Sequence, residues 1–302
     1  MPNPTTDHAT REPHSRVALA TCDLYPDLWE DDLPLRDALR ARGVEVDAVR
    51  WDDETADWTA YALTLIRSPW DYVPRRERFV AWAASVPRLF NPADIVAWNT
   101  DKTYLRELAE AGIPVIPTGY VEPGQAWTAP SEGEWVVKPT ISAGSQDTGR
   151  YALPVQRAAA EAHVARLTAG GRTAMIQPYL TAVDTAGETA VLCLPDAGGE
   201  LTFSHAVRKG PMLTGSGGGW IDPDSEDISP RTPSEAELAV AAKVLEVLPG
   251  GAKRLLYARI DLIPGPGGVP TLIELELTEP SLFLLHAPGA AERLADAVIA
   301  RL

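Results

Sequence analysis

Strand-like and helix-like patterns alternate over the first hundred residues. Three apolar runs have the length and composition of β-strands: VALATC from Val17, VEVDAVRW, and YALTLIR, which ends at Arg67. Two segments place apolar residues at helical spacing: DDLPLRDALRARG, which closes with Gly43 as a stop signal, and RERFVAWAA. This alternation predicts a small parallel α/β domain over residues 16–98.

A second set of elements begins after residue 98. A helix is predicted from Thr100 or Asp101 through Ala111, because an oxygen-bearing capping residue precedes inward-facing leucines and a glycine follows. EWVVKP and TAMIQPYL are strand-like, and the glycine- and serine-containing segment ISAGSQDTG after the first is predicted to be a loop. TAMIQPYL leads into a predicted turn at Asp184 and Gly187.

The last third predicts two strand pairs and two helices. ETAVLCLP and ELTFSHAVRK are typical of a hairpin, whereas LTGSGGGWIDPDS is too glycine-rich and polar for a regular element. RLLYARIDLI and PTLIELELTEP are strand-like runs on either side of the turn PGPGG, so they can form a second hairpin. The predicted helices are EAELAVAAKVLEVL and GAAERLADAVIARL.

Length, composition and charge restrict the class of protein. The 302 residues, 45% of them hydrophobic, suffice for two or three small domains with a sizeable core. Residues 1–15 lack the apolar stretch of an export signal and no run could cross a bilayer, which predicts a disordered tail and a cytoplasmic protein. The net charge of −15 argues against nucleic-acid or membrane binding. Cys22 and Cys193 lie in apolar runs and are predicted to be buried free thiols.

Charged residues interrupt the two late strands in alternation. Arg259 and Asp261 would point to one sheet face, and so would Glu274 and Glu276 on the next strand. If the strands pair, three carboxylates and an arginine converge, which is costly unless a cation such as Mg²⁺ compensates them. The alternative is an edge hairpin whose acidic side chains are merely hydrated.

Two lysines and two basic neighbours are candidates for phosphate binding. Lys102 opens the predicted helix, and Lys138 ends EWVVKP just before a loop whose amides could cradle phosphate. Arg208 and Lys209 end a strand next to a glycine-rich segment that suits a mobile lid, and residues 214–220 are predicted to become ordered when ligands bind. Surface lysines beside a flexible loop are the alternative.

Two more features could contact ligands. The end of TAMIQPYL could present its backbone to an adenine edge, with Asp184 reaching a ribose hydroxyl, or it could be a plain strand and turn. In RSPWDY, Arg67 could take a substrate carboxylate and Asp71 a substrate ammonium group. Equally, Arg67 and Asp71 could form an ion pair that braces a turn, with Trp70 in the core.

The order and spacing of these candidates resemble those of the ATP-grasp ligases, from about Val17 to the end of the chain. The glutathione synthetase and D-alanine–D-alanine ligase branch is the most similar. The resemblance implies an α/β protein with the ATP-grasp fold, in which the N-terminal parallel α/β domain precedes two α+β subdomains that clamp ATP. Their expected bounds are residues 99–178 and 179–302.

The resemblance also implies roles for single residues. Asp261, Glu274 and Glu276 would hold two Mg²⁺ ions, although the family has asparagine where Glu276 stands, which makes the number of ions less certain. Arg259 and Arg208 would stabilise the charge that develops during phosphoryl transfer. The nucleotide-binding positions would be Lys102, Lys138, Ser145, Gln177, Tyr179, Leu180, Asp184, Glu188 and Lys209.

The implied reaction activates a small, amino-acid-like carboxylate as an acyl phosphate for attack by nitrogen. RSPWDY and ELELTEPSLFLL resemble the branch of cyclo-ligases that form D-cycloserine from O-ureido-D-serine, where carboxylate and nitrogen belong to one molecule. Two alternatives stay open: an intermolecular amino-acid or peptide ligase, and a nucleotide-binding module without turnover. The sequence also leaves a homo-oligomer open.

Overall fold

Three β-sheets organise residues 15–213 and 226–302, the part of the chain that the computed structural model describes. The first sheet is parallel, with strand order β2-β1-β3-β4. Its strands are β1 Arg16–Thr21, β2 Glu45–Arg50, β3 Leu63–Ser68 and β4 Leu89–Phe90, and its helices are α1 Leu33–Ala41 and α2 Arg76–Ser85. The predicted N-terminal α/β architecture is therefore confirmed.

The second sheet is antiparallel and carries the loop 141–148. Its order is β5-β8-β6-β7, formed by β5 Gly119–Val121, β6 Gly133–Pro139, β7 Gly149–Leu153 and β8 Ala174–Pro178. Helix α5, Arg157–Ala169, buries Ala160, Val164 and Leu167 against this sheet. Helices α3 Ala93–Asn99 and α4 Tyr104–Glu110 precede it in the chain.

The third sheet contains both predicted hairpins. Its order is β11-β10-β9-β12-β13, with β9 Glu188–Pro195, β10 Leu201–Lys209, β11 Ile228–Pro230, β12 Ala258–Pro264 and β13 Pro270–Glu276. Strands β9 and β10 are antiparallel neighbours, and so are β12 and β13, as the sequence predicts. The helices of this part are α6 Val183–Ala186, α7 Glu235–Glu246 and α8 Ala290–Ile299.

The last helix ties the end of the chain to the first sheet. Leu35 and Leu39 of α1 share one buried cluster with Leu294 and Val298 of α8. Full burial of each such side chain stabilises the fold by about 1.5–3 kcal/mol. The contact between α1 and α8 therefore holds the parallel sheet next to the third sheet.

Two buried asparagines fix the end of β13. The Asn91 side-chain amide donates to the carbonyl oxygens of Tyr257 at 2.9 Å and Leu277 at 2.6 Å. The Asn99 side chain donates to the Leu275 carbonyl at 2.8 Å and accepts from the Leu277 amide at 2.7 Å. Because buried backbone groups need partners, these bonds set where β13 stops and where residues 277–283 begin.

Some elements differ from the sequence prediction. Helix α4 begins at Tyr104, later than predicted, because the Lys102 amide donates instead to the Thr140 carbonyl at 2.8 Å. The sequence pattern missed α3, β7 and α5, and the turn at residues 184–187 contains the short helix α6. Cys22 and Cys193 are buried and unpaired, as predicted.

Two predictions fall on parts of the chain outside the described residues. They are the disordered tail, apart from Ser15, and the ligand-ordered segment 214–220. The bounds of the two ATP-grasp subdomains stay predictions. No helix in the described ranges is long and apolar enough to cross a membrane.

Candidate active site

A cavity lies between the second sheet and the β12–β13 edge of the third sheet. It is lined by side chains from β6, β8, β10, β12 and β13 and by the loop after β6. Most of the predicted site residues meet here, although they come from distant parts of the sequence. The predicted residues in the lining are Lys102, Lys138, Ser145, Gln177, Tyr179, Leu180, Glu188, Lys209, Arg259, Glu274 and Glu276.

One end of the cavity is apolar. Ile116, Val183 and Ile263 form a small buried cluster, and Tyr179, Leu180 and Ile273 pack against it. The Tyr179 amide already donates to the Glu134 carbonyl at 2.8 Å, and the Gln177 side chain donates to Thr118 at 2.9 Å. An apolar pocket with a strand end beside it suits a flat heteroaromatic ring.

The next part of the cavity is basic. Lys102 Nζ donates to the Ser142 carbonyl at 2.7 Å and lies 3.2 Å from Glu274 Oε1. Burial lowers the pKa of Lys138; Glu274 opposes this effect and the nearby Lys102 charge adds to it. Two ammonium groups beside a loop of small residues form a site that an anion would stabilise.

The loop after β6 is held by an anchor that the sequence prediction did not include. Ser145 and Asp147 have left-handed backbones, with φ of 54° and 56°. Asp147 accepts hydrogen bonds from Arg166 of α5 and, at 2.6 Å, from Arg172. These two arginines lower the pKa of Asp147, so its carboxylate stays charged. The loop is therefore fixed against α5 while its inner side lines the cavity.

The charged hairpin has the register that alternation predicts. Arg259 lies opposite Glu276, and Asp261 lies opposite Glu274. Arg259 donates to Asp261 at 2.9 Å and also forms an ion pair with Glu276. Burial raises the pKa of Glu276 to about 8; Arg259 opposes this shift, whereas Glu274 and Asp261 add to it.

The acidic residues differ in how well they suit a metal ion. Over residues 15–213 and 226–302, no three His, Cys, Asp or Glu side chains are grouped to hold one. The side chains of Glu274 and Glu276 are 27% and 25% exposed towards the cavity, so their carboxylates fit a hard cation such as Mg²⁺. Asp261 is 1% exposed and lies behind Arg259 and Lys209, each of which holds it. Asp261 is therefore absent from the cavity lining, and the sequence pattern could not reveal these two partners.

Besides Asp261, the predicted residues Arg208 and Asp184 lie outside the lining. Neighbours on a strand point to opposite faces, so Lys209 turns inwards to Glu188 at 3.0 Å while Arg208 turns away. Arg208 donates to the Ala186 carbonyl at 3.1 Å and to Asp227 at 3.0 Å. Asp184 accepts from the Tyr179 hydroxyl and lies 3.4 Å from Arg150.

The residues predicted to bind substrate also lie outside the lining. Arg67 is fully buried, and it donates to Asp32 at 2.8 Å and to the Pro280 carbonyl at 2.7 Å. Asp71 accepts from Trp51 at 2.7 Å and from Arg75 at 2.6 Å. These contacts favour a structural role over direct substrate binding. They also correct the proposed pairing, because Arg67 and Asp71 each have other partners.

The sequence prediction missed residues that form the remaining wall. Trp70 and Tyr72 reach the cavity from the loop after β3, and Glu279, Ser281 and Phe283 reach it from the segment after β13. These residues belong to the motifs RSPWDY and ELELTEPSLFLL. Which of their side chains turn inwards depends on contacts between domains, so no local pattern could have selected them.

Comparison with solved structures defines the class of protein. An ATP-grasp protein, the RimK domain protein of Sphaerobacter thermophilus, matches 94% of this chain and 99% of its own with a TM-score of 0.63. At 17% identity this likeness shows the fold alone. The protein has the ATP-grasp fold, as its sequence predicts.

Closer relatives define the family. The crystal structure of D-cycloserine synthetase DcsG matches 95% of this chain and 99% of its own with 35% identity and a TM-score of 0.83. The cycloserine biosynthesis protein DcsG of Streptomyces lavendulae is 37% identical over 301 residues, or 95% of this chain and 98% of that protein. Residues 17–91 match the family model of the D-cycloserine synthetase DcsG N-terminal domain. The chain belongs to the DcsG family.

The protein is therefore an ATP-dependent C–N ligase, and the alternative of a nucleotide-binding module without turnover is set aside. ATP-grasp ligases generally use ATP and Mg²⁺, and they act on small molecules or peptides.

Proposed function

We propose that this protein closes O-ureido-D-serine to D-cycloserine in an intramolecular, ATP-dependent reaction. One observation carries the proposal: the basic part of the cavity and the wall formed by Trp70, Tyr72, Ser281 and Phe283 belong to one continuous space. A substrate carboxylate and the phosphoryl group that activates it can therefore meet away from bulk water. The relationship to DcsG supports the same substrate.

The nucleotide is assigned to the half of the cavity that faces the second sheet. The cluster of Ile116, Val183 and Ile263 would take adenine, because it is apolar. Lys102 and Lys138 would bind the phosphates together with amides of the loop that contains Ser145. The anchored loop would need little ordering on binding, which lowers the entropic cost.

Glu274 and Glu276 would hold Mg²⁺, since their carboxylates face the cavity from one strand. When bound, Mg²⁺ supplies charge neutralisation during phosphoryl transfer. Asp261 fixes Arg259 and Lys209 from behind, at 2.9 and 3.0 Å. Arg259 would then stabilise the negative charge that develops during phosphoryl transfer to the substrate carboxylate, because Arg259 lines the same cavity.

The chemistry balances with one ATP and one water. A carboxylate oxygen of the substrate takes the γ-phosphoryl group of ATP, and the nitrogen next to the side-chain oxygen attacks the acyl carbon. The new C–N bond closes the five-membered ring as phosphate leaves with that oxygen. The carbamoyl group on the nitrogen passes to water and departs as carbon dioxide and ammonia. The chain provides binding, orientation and exclusion of solvent, and it needs no covalent nucleophile.

A single-substrate assay tests this function. Purified protein with ATP, Mg²⁺ and O-ureido-D-serine should release ADP and yield D-cycloserine, detected by mass spectrometry, in equal amounts and without an added amine. O-ureido-L-serine serves as the control for stereochemistry. Turnover that requires a second, amine-bearing substrate would instead identify an intermolecular ligase.

Lys138→Ala should weaken ATP binding by about 1.5–3 kcal/mol, the range for hydrogen bonds to charged groups, and leave adenosine binding nearly unchanged. The reason is that the lost contact is to phosphate, whereas the apolar end of the cavity is intact. Calorimetry with both ligands measures the difference. Lys243→Ala in α7, at an exposed position, is the matched control. Equal losses for ATP and adenosine would place Lys138 elsewhere.

The proposed location is the cytoplasm, where ATP is available, and the proposed substrate class is small amino-acid-like carboxylates. A homo-oligomer is a further proposal that sedimentation would test.

A further inference from the structure

Three residues of the first domain contact the segment that carries Glu279. Its carboxylate lines the cavity, and its backbone carbonyl accepts from Trp70 Nε1 at 3.0 Å. The neighbouring Pro280 carbonyl accepts from Arg67 at 2.7 Å. The Tyr72 hydroxyl lies close enough to the Glu279 carboxylate to oppose the rise of its pKa. A charged side chain is therefore presented to the cavity from a fixed backbone.

Tyr72 is itself fixed in the core of the first domain. It is 1% exposed, and its ring stacks on Phe79 with the centroids 4.5 Å apart. A stacked, buried ring leaves its hydroxyl in one place. The Tyr72 hydroxyl is thus held in place beside the Glu279 carboxylate.

Glu279 differs in its partners from three other acidic residues of the cavity. Glu188, Glu274 and Glu276 each form an ion pair, with Lys209, Lys102 and Arg259 respectively. Within the described ranges, no Lys, Arg or His nitrogen lies within 4.0 Å of the Glu279 carboxylate. Burial raises the pKa of Glu279, because the charged form lacks full solvation there; the more distant charges of Lys102 and Arg259 oppose this shift without cancelling it.

A partly desolvated carboxylate without a cationic partner gains most from a cationic ligand group. The uncharged side chains of Trp70, Ser281 and Phe283 in the same lining suit the rest of a small ligand. An α-amino acid brings one ammonium group together with the carboxylate that is to be activated. The wall therefore has the chemistry to recognise the part of the substrate that does not react.

We propose that Glu279 binds the α-ammonium group of the substrate and that Tyr72 positions it, so that the cavity selects α-amino acids over the same molecules without the amino group. This inference rests on the proposed function, which supplies the carboxylate and the ring-closing nitrogen. It adds a specificity-determining residue to the ligase reaction.

The test compares two substrates in two enzymes. Wild type and Glu279→Gln are assayed with O-ureido-D-serine and with its desamino analogue, 3-(carbamoylaminooxy)propanoic acid. Glu279→Gln should lower kcat/KM for the amino-bearing substrate by about tenfold to a hundredfold and leave the analogue nearly unchanged, because only the first loses a charged contact. The KM for ATP should stay constant in both enzymes.

Tyr72→Phe keeps the stacked ring and removes the hydroxyl, so a smaller loss confined to the amino-bearing substrate is expected. Glu246→Gln, an exposed glutamate of α7, is the matched control and should behave like wild type. Equal losses for both substrates would overturn the proposal, since a general base for the ring-closing nitrogen or a merely structural residue would affect both.

A binding measurement separates this inference from the proposed function. Calorimetry in the presence of ADP and Mg²⁺ compares D-serine with 3-hydroxypropanoate. Wild type should prefer D-serine, and Glu279→Gln should lose that preference. If wild type fails to turn over O-ureido-D-serine but shows this Glu279-dependent preference, the proposed reaction is wrong and the ammonium site stands. No preference in wild type overturns the site.

Discussion

Glu274→Gln should lower kcat by about 10²–10³-fold with little change in thermal stability, the range for losing several kcal/mol of transition-state charge stabilisation. Glu274 faces the cavity with its side chain 27% exposed, opposite Asp261 in the hairpin. Glutamine keeps the shape and removes the charge that would hold Mg²⁺. Lys102 loses an ion pair but keeps its hydrogen bond to the Ser142 carbonyl at 2.7 Å, so the fold should tolerate the change.

The measurement is ADP release at saturating substrates over a Mg²⁺ titration, together with thermal unfolding. Near-normal turnover at limiting Mg²⁺ would remove Glu274 from the metal site. Asp261→Asn is an informative comparison, because it deletes the same charge at a buried position held by Arg259 and Lys209. Breaking a buried pair in this way costs about 3–5 kcal/mol, so this variant should lose stability as well as activity.

Arg67→Ala should lower the free energy of unfolding by about 3–5 kcal/mol, because it leaves the buried Asp32 without its charged partner. The guanidinium also lies 4.9 Å from the centroid of the Tyr257 ring and donates to the Pro280 carbonyl, so it joins the first domain to the segment after β13. Arg67→Lys keeps the charge but not the planar fork, and an intermediate loss is expected. ATP affinity should not change in either variant.

Chemical denaturation of the wild type and both variants measures this loss, and steady-state kinetics separate it from substrate binding. Arg78→Ala, at a side chain that is 49% exposed, is the control and should unfold like wild type. Unchanged stability with a higher KM for the carboxylate substrate would restore the hypothesis that Arg67 binds substrate. Lower stability in both variants, with an unchanged KM, would support a structural role for Arg67.

Local patterns were sufficient for the features that depend on neighbours in sequence. Strand periodicity placed Arg259 and Asp261 on one face, and the turn PGPGG allowed the hairpin that brings Glu274 and Glu276 beside them. A strand followed by a small-residue loop likewise marked Lys138 before its surroundings were known. These inferences succeed because side-chain direction within a strand and pairing across a short turn are set locally.

The sequence by itself thus determined the class of fold, the charged hairpin and the lysines. Only the tertiary structure decided which charged groups face the cavity and which are paired with other groups of the protein. Arg67 and Asp71 stand in a motif that suits a ligand, yet tertiary packing gives each of them protein partners, which for Arg67 include the Pro280 carbonyl across the domain boundary. Tertiary packing also brings Tyr72 and Glu279 to one cavity from segments far apart in the chain. The physical reason is that a buried charge must pair with a group that the fold brings close to it. The distance between two such groups in the folded chain cannot be read from their positions in the sequence.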